Sequence, residues 1–433
     1  MRISKKAICQ YLLLYAILLL NQSVAASKFG MMLYYVIIIV SVLIALKYCA
    51  SIFKSVRVIV PIVGLSISIL LTRFTGGSAG IGYVIIIMTN LFAAMVAYKT
   101  DKEKAADRYV NIVCLFSVIS VTMFIASLLA PEFTRTLLGL SFVQDITFSS
   151  GEGWINSRTW NYYGHWLYSF GRESDRNCGL YTEPGLYAIV LVSALILLLF
   201  KSNKLDKSSK KIKRDVFIIV ITLITAASAT GFIMAIVVFA IYFLQQKKRS
   251  VYDKGTSKLR NFGILVATII AIASVDYAIR GNASFLYQYL LSKFNGLGFQ
   301  TAMQMSGGST GNARLMVLVQ GVIAAIRYPF GAGTNRMSII ATEFQSTYYN
   351  AGCGLAYFLG VLGIFGWAII VSIFVVPVSS RRISKQIRLL LIIIYIIYGM
   401  SQANFWASTL LLVAYIFEGD TKPVLMVSEK IRK

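Results

Sequence analysis

The sequence predicts an all-α polytopic membrane protein, and three observations carry that prediction. Of its 433 residues 57% are hydrophobic and only 14% charged, against about 25% charged in an ordinary soluble domain. Apolar runs of about 20 residues, long enough as helices to cross ~30 Å of hydrocarbon, recur from one end of the chain to the other. The net charge of +25 is concentrated in alternate connecting segments, the pattern that orients membrane proteins. A soluble enzyme is excluded, and residues 1–433 are expected to form one integral membrane domain. Because the basicity is an orientation signal, it does not imply a nucleic-acid partner.

Single spans are expected at about 8–26, 30–46, 58–72, 81–98, 109–130, 180–200, 261–279 and 353–377. The first has a rival reading. Arg2, Lys5 and Lys6 before an apolar stretch, with Val24-Ala25-Ala26 after it, also resemble a cleaved secretory signal. Retention is favoured because a second span follows after only a few residues. Two longer apolar stretches, 215–244 and 389–418, would overshoot the bilayer as single helices. Each carries a polar break, at Ser228–Gly231 and at Ser401–Asn404, and is expected to be a hairpin of two helices of about 14 residues each, with the break lining a wet cavity.

Loop charge supports the hairpins. With them, one side holds 31 basic residues, 21 Lys and 10 Arg, and the other only 11. Twelve spans with both termini cytoplasmic is the consistent topology. It leaves two large outer loops, 131–179 and 280–352. In the second, Phe285 to Phe294 is expected to be an interfacial helix, and 312–328 another helix ended by Pro329. Cys178 and Cys353 both fall at the outer edge, where a disulfide is an open alternative to two free thiols.

The chemistry must lie outside the spans. Every cytoplasmic loop is short, and no Walker motif, dinucleotide fingerprint, paired CxxC or His-rich metal set occurs, so neither cofactor nor metal is expected. His165 is the only histidine. Arginine is the informative residue: the outer basic residues are Lys28 and Lys293 with nine arginines, among them Arg172, Arg176, Arg314, Arg327 and Arg336. A planar fork of donors suits bidentate phosphate binding; the plainer reading is that these arginines brace the loops by pairing with acids such as Glu343. Arg314 and Arg327 would be ~20 Å apart along one helix, whereas Arg327 and Arg336 flank the turn at Pro329 to Gly333. Trp160, Trp166 and their aromatic neighbours fit either an interfacial belt or sugar stacking.

Arg176, Gly179, Glu183 and Pro184 resemble the R-x-x-G-x-x-x-E-P motif of bacterial O-antigen polymerases of the Wzy type, within the O-antigen polymerase–ligase superfamily. Three later pieces agree in order. Ser228 to Gly231 resembles the family's S-R-T-G hairpin tip, with Ala229 in place of Arg. Arg314 with Pro329, Gly331 and Gly333 resembles its R…P-x-G-x-G loop, and Gly360 with Gly363 the end of the ligase motif. Tyr349-Asn350 stands where a ligase carries His, which favours polymerase over ligase.

The resemblance implies a GT-C-like, metal-independent glycosyltransferase of the bacterial inner membrane with its active site facing the periplasm. It would move a growing glycan from one undecaprenyl pyrophosphate onto another lipid-linked repeat unit, with a chain-length regulator as a further partner. The expected catalytic residues are Glu183 as general base and Arg327 and Arg336 on the departing pyrophosphate. Arg172, Arg176, Arg314, Tyr328, Tyr349, Asn350, His165, Trp160 and Trp166 are the expected substrate contacts. Glu183 could instead cap the helix that Pro184 begins. The alternatives are an O-antigen ligase, a lipid-linked oligosaccharide flippase or an unrelated transporter; a carrier would need charges within its spans, and these spans are almost free of them.

Overall fold

The computed structural model describes residues 4–139, 162–163, 166–171, 176–202, 205–250, 279–280, 284, 287, 310–344, 352–402, 406 and 408–419. In chain order the helices are α1 (Lys5–Leu20), α2 (Val24–Phe29), α3 (Met31–Tyr48), α4 (Val56–Phe74), α5 (Gly82–Thr100), α6 (Ala105–Leu129), α7 (Pro131–Gly139) and α8 (Pro184–Phe200). They continue with α9 (Ser209–Ala226), α10 (Ala229–Ser250), α11 (Thr310–Arg327), α12 (Gly333–Glu343), α13 (Gly354–Val378), α14 (Lys385–Ser401) and α15 (Ser408–Glu418). Strand structure among the described residues is limited to an antiparallel pair, β1 (Tyr162–Tyr163) with β2 (Phe170–Gly171), and isolated bridges from Ser23 to Tyr181 and from Ser78 to Gly333.

Five helices, α3, α4, α5, α6 and α13, are long and apolar enough to cross a membrane, and α8, α15 and the Ala229–Gln245 part of α10 are shorter apolar helices. The chain is a helical multi-pass membrane protein. Its apolar surface follows from that: Ile39, Leu43, Ile59, Val63 and Leu70 of α3 and α4 are exposed, because the hydrocarbon they face is as apolar as a core. α8 is hydrophobic on all sides and buried from Pro184 to Leu198, as befits the centre of a bundle; α6, α9, α10 and α15 surround it.

The expected span 8–26 is two helices. α1 stops at Leu20, Gln22 takes a left-handed φ of 55°, and the Ser23 hydroxyl accepts from the Ala26 N–H at 3.0 Å to cap α2. The segment that also reads as a signal is built into the core, with Leu13, Leu14, Ile17 and Leu20 buried and the Val24 N–H donating to the Leu180 carbonyl at 2.9 Å.

Both long apolar stretches are broken at the expected places. α9 ends at Ala226, Ala227 is left-handed, and the Ser228 hydroxyl accepts from the Gly231 N–H at 3.3 Å at the head of α10. α14 ends at Ser401 and α15 begins at Ser408. The helices α9 (18 residues), α10 (22) and α14 (17) exceed the expected 14 because they run past the apolar stretch into the basic flanks. The interfacial helix expected at Phe285 to Phe294 and the span at 261–279 lie almost wholly outside the described residues.

α11 packs along α13, and the turn after it enters a kink in α13. Gly363 inside α13 has φ 68° and ψ −177°, which interrupts the helical hydrogen bonds. The freed groups are taken up by the turn: the Ala332 N–H donates to the Gly360 carbonyl at 2.9 Å and the Ile364 N–H to the Pro329 carbonyl at 3.0 Å. A side chain at Gly363 would collide with that Pro329 carbonyl. The α4–α5 connection closes the same corner, since Ser78 accepts from the Thr334 and Asn335 N–H groups through its carbonyl (2.8 Å) and hydroxyl (3.1 Å) and so caps α12.

The basic end of the bundle is held by paired charges. Lys207 and Asp215, both buried, meet at 2.6 Å, with Arg214 on the other carboxylate oxygen at 3.0 Å. Buried Lys201 donates to the Ile416 carbonyl near the C-terminus of α15 at 3.1 Å.

Candidate functional site

Glu183 is positioned by the segment before it. Asn177, fully buried, donates its side-chain amide to the Ser120 hydroxyl of α6 (3.2 Å) and the Thr225 hydroxyl of α9 (3.1 Å), while its amide oxygen accepts from the Gly179 N–H (3.0 Å). Ser169 donates to the Gly179 and Tyr181 carbonyls at 3.0 and 2.9 Å. The turn at 177–181 is thereby tied to α6 and to the tip of the first helical hairpin. Pro184 begins α8, because its missing N–H costs nothing there. Glu183, extended at φ −139°, sits at the N-cap, exposed, and its side chain makes no capping hydrogen bond. The carboxylate is therefore not occupied in holding its own helix.

Arg314, at the start of α11, feels the charge of Glu183 at this end of α8. Burial pushes its guanidinium pKa down, and the negative charge of Glu183 pulls the other way. Its buried Nε has no hydrogen-bond partner among the described residues. Gly352 lies between Arg314 and α14: a Cβ there would touch both the Ser401 carbonyl and Arg314 Nε. The helix break at Ser401–Gln402 is thus flanked by Arg314 on one side and by α8 on the other. Its second strut runs through Tyr398, whose hydroxyl meets Asn21 Oδ1 at 3.1 Å while Asn21 Nδ2 donates to the Leu186 carbonyl at 2.9 Å.

A second cluster lies at the other end of α11. Arg327 pairs with Glu343 at 2.5 Å, both about half exposed, which is the bracing arrangement considered as the plainer reading of the sequence. Arg336 does not join that pair. Its guanidinium lies over the Tyr328 ring at 4.5 Å from the centroid and against Gly76 of the α4–α5 connection.

The structure thus places Arg314 within the electrostatic reach of Glu183 and gathers Arg327, Tyr328 and Arg336 at the other end of α11. Arg176 is half-buried beside the first turn of this region, where Cys178 Sγ lies 3.7 Å from its carbonyl. Trp166 stacks on Phe29 of α2 at 5.5 Å, and its carbonyl accepts from the Tyr15 hydroxyl at 2.6 Å, so it packs the N-terminal helices together. Trp160, His165, Arg172, Tyr349 and Asn350 lie outside the described residues. Cys178 and Cys353 are free thiols, buried apart, with Cys353 Sγ 3.7 Å from Met400 Sδ. No group of His, Cys, Asp and Glu side chains suited to a metal ion occurs among the described residues.

Sequence reasoning missed Gln402, Asn21, Tyr398 and Asn177. The polar break Ser401–Asn404 was the only signal that could have pointed to the first of these. Comparison with family models, curated proteins and solved structures finds no match to this chain.

Proposed function

We propose that the chain is a membrane glycosyltransferase that polymerises undecaprenyl-pyrophosphate-linked oligosaccharide repeat units at the outer face of the bacterial inner membrane. The observation that carries this reading is the conjunction of Glu183, an exposed carboxylate free of capping duty, with Arg314, a largely buried guanidinium whose Nε has no described partner. A carboxylate can take the proton from an acceptor hydroxyl as it attacks the anomeric carbon. A guanidinium supplies what a departing pyrophosphate needs, fixed positive charge with fork geometry.

In this reading both clusters face the periplasm, twelve spans place both termini in the cytoplasm, and the architecture is GT-C-like. The resemblance puts Arg327 and Arg336 on the departing pyrophosphate; because Arg327 already pairs with Glu343, this reading gives that role to Arg314 instead, and Arg336 with Arg327 meets the second carrier at the far end of α11. That separation is what a polymerase requires, since donor and acceptor are both lipid-linked. A chain-length regulator would act from outside this machinery.

The experiment is incubation of the purified protein with a lipid-linked repeat unit in the presence of a metal chelator, read as a ladder on a gel. A ladder of added repeats supports the reading; unchanged single repeats, with folded protein, refute it.

A further inference from the structure

We propose that Gln402 is a substrate-binding residue, its carboxamide hydrogen-bonding a hydroxyl of the acceptor sugar beside Glu183. The proposal rests on the polymerase reading and names what that reading leaves open, the group that recognises sugar rather than phosphate.

Gln402 ends α14 at the helix break and is only 4% exposed. Its backbone is fixed on both sides: the N–H donates to the Tyr398 carbonyl at 2.9 Å, and the carbonyl accepts from the Gly354 N–H at 2.9 Å. The side chain reaches the first turn of α8, two positions past Glu183. There the carboxamide occupies the space a side chain on Gly185 would fill, and a Cβ on Gly185 would collide with it. The absence of a side chain at Gly185 is what lets an amide from a remote helix reach the first turn of α8, the turn that Glu183 precedes.

That amide has two donors and two acceptor lone pairs, and no described residue takes or gives a hydrogen bond to it. The group is therefore available to a ligand that both donates and accepts. Sugar hydroxyls do both. Phosphate offers only acceptors and is better served by Arg314, which lies on the other side of the same helix break through Gly352 and Ser401. A carboxamide is also neutral at every relevant pH, so it does not compete with Glu183 for a proton.

The test measures binding of two probes to the purified protein: bare undecaprenyl pyrophosphate, and the lipid-linked oligosaccharide extracted from cells that lack this chain. Wild type should prefer the glycosylated carrier about tenfold. Gln402→Leu should abolish that preference while leaving the affinity for the bare carrier unchanged. Gly185→Ala, which displaces the carboxamide without removing it, should do the same, and the double variant should be no worse than either single one. Equal loss for both probes would make Gln402 a structural brace and overturn the proposal, as would a preference that survives both substitutions. If wild type binds neither probe, the polymerase reading itself falls, and this assignment with it.

Discussion

Arg314 and Glu183 come from helices far apart in the chain, the negative charge of Glu183 opposes the effect of burial on the Arg314 guanidinium, and neither forms an ion pair with any described residue. A guanidinium nitrogen buried without a described partner, as Arg314 Nε is, is expensive to keep, and the helix it stands on is otherwise packed closely against α13. An anion that arrives and departs accounts for that arrangement better than a permanent brace does.

Arg314→Lys keeps the charge and loses the fork. At a pyrophosphate site that exchange should lower polymerisation at least tenfold in folded, membrane-inserted protein, with single repeat units accumulating. Polymer of normal length from Arg314→Lys would remove Arg314 from the site.

Arg327→Lys separates the brace to Glu343 that the structure shows from the proposed carrier contact. As a half-exposed partner of Glu343 it contributes only ~0 to 1 kcal/mol, so thermal stability should hardly change. If Arg327 and Arg336 also serve the second carrier, Arg327→Lys and Arg336→Lys should each shorten the polymer while the melting temperature stays within a degree or two. Wild-type lengths from both would leave them as braces of the turn.

Gly363→Ala places a side chain at φ 68° against the Pro329 carbonyl. The left-handed backbone alone costs roughly 1–2 kcal/mol for a residue with a Cβ, and the collision with a fixed carbonyl adds to it. Thermal unfolding in detergent should show a clear fall in melting temperature. An unchanged midpoint would mean that the turn at Pro329 to Gly333 does not lock the kink.

Asn177→Ala removes both donors to Ser120 and Thr225 and leaves the Gly179 N–H without its acceptor. A buried group left unmatched costs about 1–3 kcal/mol, so the variant should unfold earlier and lose activity with it. Loss of activity without loss of stability would instead place Asn177 in contact with substrate.

The helices were largely legible in the sequence because bilayer length and apolar runs are local properties. α3 to α6, α8 and α13 fall where the hydropathy puts them, and Ser228 and Ser401 mark the two breaks as polar residues in apolar surroundings do. The break at Asn21–Gln22 was not legible, because its reason is remote: Asn21 turns its side chain to Leu186 and Tyr398. The docking of Ser78 on α12 and of Gln402 on Gly185 escaped for the same reason, since each is a contact between distant segments that leaves no periodicity. Topology is open to direct test. In a background without the five native cysteines, cysteines at 205 and 250 should be labelled only from the cytoplasm and those at 155 and 305 only from outside; 205 and 250 on opposite sides would contradict the hairpin α9–α10 and the twelve-span model.

The most direct test of the central claim is the single-turnover rate of the first glycosidic bond in Glu183→Gln, with binding of the lipid-linked repeat unit measured in parallel. A general base contributes roughly 10²–10⁴-fold, so the account predicts binding near that of wild type and a rate at least 100-fold lower. A rate within about threefold of wild type would contradict it and move the role of base away from Glu183.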